Sequence, residues 1–182
     1  MMLLRDPGAY HGENNKRPFF EGWYHKLVTN DGRALVIIPG IYRSGFNNNQ
    51  TAFVMIFDGD TGEVFYERFE VQQFSCSTSS YSLHIGSNHF SSQNIILDIE
   101  SEALTIKGQV TADNLKPWPV TLFEPGCMGW YAYVPTMECF HGILSMDHSL
   151  DGQIELNGSN YDFVGGRGYI EKDWGRNFPE NW

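Results

Sequence analysis

Gly165-Gly166-Arg167-Gly168-Tyr169-Ile170-Glu171-Lys172-Asp173-Trp174-Gly175 is the stretch whose reading decides the fold. Glycine has no Cβ to crowd a neighbouring strand, so a cluster of three before Tyr169 announces a turn or a close backbone approach leading into an extended run. If Tyr169 to Trp174 is a strand, the two-residue side-chain period puts Tyr169, Glu171 and Asp173 on one face and Ile170, Lys172 and Trp174 on the other. One face then carries a phenol and two carboxyls. Such a face is either a solvated strand surface or the polar end of a pocket in which a carboxyl group handles protons.

The rest of the chain repeats the extended pattern. Phe19 to Val28 is dense in aromatic and β-forming residues, Asn30-Asp31-Gly32 signals a hairpin, and Arg33 to Tyr42 supplies its second arm. Thr51 to Phe57 reads as a buried strand and Asp58-Gly59-Asp60-Thr61-Gly62 as a turn into Glu63 to Phe74. Ser75 to Ser92 reads as short strands and turns, and Asn94 to Glu100 and Ala103 to Thr111 as two further alternating strands. Leu115 to Gly126 holds Pro117, Pro119 and Pro125, none of which can donate to a ladder, so it is expected to cross the sheet or cover it. Turns are expected at Asp151-Gly152 and Asn157-Gly158. No segment keeps helical periodicity for three turns; a single helical turn is the most that Asp173 to Trp182 allows. The expected fold is all-β, an antiparallel barrel or strongly bent sandwich of about ten short strands with little helix. Residues 1–18 read as an arm or loop and 19–182 as one β-barrel-like domain.

Composition excludes several functions. The 182 residues carry a formal net charge of −10, which disfavours binding to nucleic-acid phosphates and provides no polybasic membrane anchor. Aromatics make up 15% of the chain, enough for a large β core, a ligand cavity or a sugar-stacking surface. Cys76, Cys127 and Cys139 form no C-x-x-C pair, and the simplest setting for them is a reducing, cytoplasmic one. The spacings His84/His89 and His141/His148 do not match the common zinc motifs, so no metal is expected. P-loop, G-x-S-x-G and dinucleotide-binding patterns are absent, and no cofactor is expected. His141 shares a strand face with Met137, Cys139 and Ile143, where it is either a core histidine or one that orients and recharges a carboxyl group.

Three separated blocks carry a family resemblance. Phe19-Phe20-Glu21-Gly22-Trp23-Tyr24-His25-Lys26, the run from Gly129-Trp130-Tyr131 through Met137-Glu138-Cys139-Phe140-His141-Gly142, and Gly168 to Pro179 resemble the tocopherol cyclase family. More distantly the chain resembles the carotenoid 1,2-hydratases, grouped with lipocalin-like barrels. Family members continue past the position of Trp182, so the chain reads as a truncated member or an N-terminal portion. The resemblance implies protonation of a trisubstituted double bond in a prenyl tail and capture of the tertiary cation by an oxygen nucleophile. That nucleophile is a substrate phenol in the cyclase and water in the hydratases.

The resemblance also implies site residues. The hydratase His and Tyr-x-Asp fall on His141 and Tyr169-x-Glu171, with glutamate in place of aspartate and Ile143 where that pattern has a tryptophan. Glu171 is the expected acid, with Tyr169 and His141 holding and reprotonating it. Trp23, Trp130 and Trp174 are the expected wall, and Tyr24 and Cys139 further ligand contacts. The expected partner is a prenylated quinol or related isoprenoid, with room for transient contact at a membrane surface. A non-catalytic lipocalin-like binder of a prenyl lipid is the alternative, and a carbohydrate-binding β protein follows from acidity and aromatics alone.

Overall fold

The structure is a computed structural model that describes residues 6–13, 18–44, 50–134 and 136–177. Its elements in chain order are β1 (Phe19–Val28), β2 (Ala34–Arg43), β3 (Gln50–Asp58), β4 (Val64–Phe69), β5 (Phe74–Cys76), β6 (Ser82–Ile85) and β7 (Asn88–Ser91). They continue with β8 (Asn94–Glu100), β9 (Thr105–Asp113), β10 (Cys139–Leu156), β11 (Ser159–Asp162) and β12 (Gly166–Gly175). Two short 3₁₀ turns, Val71–Gln73 and Gly129–Tyr133, complete the set among the described residues. All strand pairs are antiparallel, in the order β4-β3-β2-β1-β12-β10-β9-β8-β7-β6-β5, with β11 beside β10. The path is open, since β4 and β5 are joined only through the turn at Val71–Gln73.

Although its path is open, the sheet bends back on itself. Trp23 of β1 stacks on Tyr81, just before β6, with ring centroids 5.3 Å apart, although β1 and β6 stand well apart along the path. Likewise the Tyr161 hydroxyl of β11 donates to Asp58 of β3 at 2.7 Å. Both contacts require the two halves of the sheet to face each other across one core, which includes Trp23, Leu27, Ile37, Ile56, Phe90 and Ile170. This is the bent all-β architecture the strand alternation predicts.

That interior is filled. His25 bonds the Tyr81 hydroxyl at 2.6 Å inside it, and burial, reinforced by nearby His148, holds the His25 imidazole neutral with its pKa down at about 3. The void beside His25 and His148 measures about 10 Å³, room for roughly one water.

One expectation needs correction. Asp151-Gly152 is not a turn, because β10 runs through it to Leu156. Gly152 is there because β9 passes so close that a Cβ would lie 2.2 Å from the Gln109 carbonyl oxygen, and its φ is +124°. A glycine that permits close approach looks the same in sequence as one that permits a turn. The described part of the N-terminal arm has no strand or helix, and Ala9 and Tyr10 within it are buried in the apolar interior of the molecule. Half of the tail proposed for a helical turn, 178–182, lies outside the described residues; Asp173 to Gly175 are strand.

Candidate functional site

The three sequence blocks meet. β12 lies between β1 and β10, with Tyr24 opposite Glu171 on one side and His141 opposite Asp173 and Ile143 opposite Glu171 on the other. Their alternation sorts the side chains onto two faces, and each face carries its own polar cluster.

On the inward face Lys172 and Glu21 are both fully buried, Nζ to Oε1 2.7 Å. Lys172 also donates to the Ala9 carbonyl and lies 3.0 Å from His11 Nδ1, while the His11 amide donates to Glu21 at 3.0 Å. The His11 ring stacks flat on Trp174 at 4.5 Å, and the Lys172 ammonium sits 4.7 Å from the Trp174 ring and 5.3 Å from that of Trp23. Burial pulls the Lys172 pKa down while Glu21 opposes that shift. Sequence reasoning missed this cluster. Its signal was a charge at the parity of Trp23 and another at the parity of Trp174, which becomes meaningful only once β1 and β12 are paired.

The outward face carries the expected proton-handling groups. The Tyr169 hydroxyl donates to Glu171 Oε2. Glu171 Oε2 lies 3.4 Å from His141 Nε2, and Asp173 Oδ1 lies 2.8 Å from His141 Nδ1. The result is one continuous chain, Tyr169, Glu171, His141, Asp173. Side-chain exposures of 23% for Glu171 and 34% for His141 place it at a groove wall, neither in dry core nor in bulk water. Tyr24 packs edge-on against Tyr169 at 6.4 Å. Hydrogen bonding to Asp173 raises the His141 pKa, against a smaller lowering by burial. Burial and the bond to Glu171 raise that of Tyr169, and burial pushes the Cys139 thiol up to about 12.

The groove beside this chain has a volume of about 620 Å³ and is lined by Met128, Thr136, Met137, Glu138, Cys139, His141, Glu171 and Asp173. Its roof follows from an edge problem. β9 pairs with β10 only from Ser149 onward, so the first half of β10 has a free edge on that side. The proline-containing segment covers it: Met146 donates to the Lys116 carbonyl at 2.8 Å, the Cys127 thiol to the His141 carbonyl at 3.5 Å, and the His141 amide to the Met128 sulfur at 3.0 Å. The segment predicted to cross or cover the sheet, Leu115 to Gly126, reaches this edge through Lys116, and the loop side of the groove is supplied by the residues that follow it, Met128 and Thr136 to Glu138.

The structure divides the expected wall. Tyr24, Cys139, His141, Tyr169 and Glu171 share the outer face, whereas Trp23 and Trp174 point into the core and Trp130 stands 66% exposed on the covering segment, stacked on Tyr133. Met128 and Thr136 were not anticipated, since the strand periodicity that selected the others does not extend into that loop; Met137, which that periodicity had grouped with His141, also lines the groove. One ligand atom each from His141, Glu171 and Asp173 lie within 4.8 Å of one another, so these three could hold a cation. His141 stands between the two carboxylates, and its bond to Asp173 favours its protonated form.

This imidazolium carries a pH signature. Its folded pKa is raised, so its bond to Asp173 contributes fully below the ordinary histidine value of about 6.5 and is lost as pH rises through the raised value. For a partly exposed pair the contribution is about 0.5 kcal/mol. Denaturant unfolding at a series of pH values should show this decline in the wild type and not in His141→Gln; equal slopes in both proteins would contradict the assignment.

Residues 102–182, which include β10 and β12, match the tocopherol cyclase-like family. The resemblance carried by the middle and final blocks is therefore borne out over that segment. No curated protein matches the sequence. Among solved structures, a protein designated AttH from Nitrosomonas europaea aligns with a TM-score of 0.51 at 14% identity, over 95% of this chain and 55% of that one. Kievitone hydratase from Nectria haematococca aligns at 0.45 and 10%, over 95% and 54%. The likeness to the AttH protein is one of fold, a large antiparallel β architecture. The chain spans about half the length of these solved structures.

Proposed function

We propose that the chain is a tocopherol cyclase-like protein that acts on a prenylated quinol or related isoprenoid. The observation that carries this reading is the unbroken Tyr169, Glu171, His141, Asp173 chain beside a groove that also presents Met128, Met137 and Cys139. Glu171 in its acid form gives its proton to the less substituted alkene carbon, leaving a tertiary cation and a carboxylate. The substrate's phenol oxygen forms the new C–O bond and releases its proton to the carboxylate, so the reaction is an isomerisation with no net proton change. His141 stands 3.4 Å from Glu171 as the group that restores a lost proton, and Asp173 holds the imidazolium in place. Tyr24 and Tyr169 offer ring faces to the cation. No step requires a redox cofactor.

A second reading has one observation in its favour: the groove is open and Glu171 is partly exposed, as suits a lipocalin-like binder that holds a prenyl lipid unchanged. Incubation with a prenylated quinol separates the two. Chromanol formation that is lost in Glu171→Gln supports the cyclase; binding without product in both proteins supports the binder.

A further inference from the structure

Exposed apolar side chains are concentrated on one segment. Six of the eleven large hydrophobic residues that face solvent among the described residues, Trp118, Val120, Leu122, Phe123, Trp130 and Tyr131, lie between Pro117 and Val134. Scattered exposed apolar residues are ordinary; a contiguous group on one loop marks an interaction surface. Its geometry is fixed by hydrogen bonds. The Thr121 amide donates to the Glu124 carbonyl at 2.7 Å, the Glu124 amide to the Thr121 hydroxyl at 2.9 Å, and Val120 bridges Pro125. Leu122 and Phe123 are the two central residues of this hairpin tip, 62% and 79% exposed. The Tyr133 hydroxyl ties the tip to the 3₁₀ turn that presents Trp130 and Tyr131, donating to the Leu122 carbonyl at 2.6 Å.

We infer that this tip docks on the surface of an electrically neutral lipid bilayer, with Leu122 and Phe123 entering the acyl region and Trp118, Trp130 and Tyr131 at the headgroup level. Two observations select this occupant. The pattern of apolar residues at the tip, flanked by tryptophan and tyrosine, matches the chemistry of the membrane interface, where amphipathic rings lie between water and hydrocarbon. Charge selects the headgroup: Glu124 is the single charged side chain from Pro117 to Val134, in a chain of net charge −10, so anionic lipid would be repelled and zwitterionic lipid would not. A second apolar groove of about 740 Å³ runs from Pro117–Leu122 to Ile143 and Leu144 of β10, the strand that also carries His141. Docking would set its mouth on the bilayer, where an isoprenoid substrate dissolves. The inference deepens the proposed function, but its test uses substrate-free vesicles and can fail with that reading intact.

The test is co-sedimentation with phosphatidylcholine vesicles, together with quenching of tryptophan emission by brominated acyl chains. The wild type is expected to partition onto the vesicles, to be quenched, and to keep both behaviours in high salt. Leu122→Ser with Phe123→Ser, with a far-UV spectrum unchanged from wild type, should reduce partitioning by at least about tenfold. Should that variant fail to fold, Trp130→Phe decides by losing part of the quenching. Absence of partitioning, partitioning equal in wild type and variant, unchanged quenching in Trp130→Phe, or a dimer that buries the tip and ignores vesicles would each overturn the inference.

Discussion

Replacing Lys172 by methionine is expected to lower the free energy of unfolding by about 3–5 kcal/mol, the typical result of stranding one member of a buried ion pair. Glu21 and Lys172 are both fully buried, 2.7 Å apart, and neither can turn to water without opening the interface of β1 and β12. Without the ammonium, Glu21 is left as a buried carboxyl with its counter-charge removed, which costs more than the pair itself contributes. Removing both charges, as Glu21→Leu with Lys172→Met, should be less harmful than removing Lys172 alone. Urea midpoints at constant m-value measure this, and a single variant within about 0.5 kcal/mol of wild type would contradict the role given to the pair.

Glu171→Gln is expected to slow conversion of a prenylated quinol by about 10²–10⁴-fold, the usual contribution of general acid catalysis. Glutamine keeps the shape and can still accept from Tyr169, but it has no proton to give to an alkene. Binding should be nearly unchanged, with Kd within about twofold, because the loss falls on the transition state alone. A fall in affinity that matches the fall in turnover would instead make Glu171 a binding group. Tyr169→Phe should cost less than Glu171→Gln, since it removes a partner of the acid and leaves the acid in place.

The period-two alternation in Tyr169 to Trp174 correctly grouped Tyr169 with Glu171 and Asp173, and pairing of β1, β12 and β10 brings the three motif blocks side by side. What alternation could not reveal is which face turns inward. Ile170 and Trp174 favoured one side, yet Lys172 shares it, and a lysine is seldom fully buried unless paired. The partner that makes its burial tolerable, Glu21, lies about 150 residues earlier in the chain, so only the register of β1 against β12 reveals it. For the same reason Trp23 and Trp174 looked like ligand walls: large aromatics suit a pocket and a core equally, and here they pack the core around the buried pair. His11 was illegible for a related reason, since nothing in a polar, proline-flanked arm indicates that its ring will stack on Trp174.

The central claim is that Glu171 delivers a solvent-derived proton to an isoprenoid double bond. Conversion of a prenylated quinol in deuterium oxide, followed by mass spectrometry and NMR of the product, tests it most directly. One non-exchangeable deuterium per molecule is expected, on the carbon next to the new tertiary C–O bond, with its appearance suppressed in Glu171→Gln. A chromanol without deuterium at that carbon, or deuterated product formed equally well by Glu171→Gln, would contradict it.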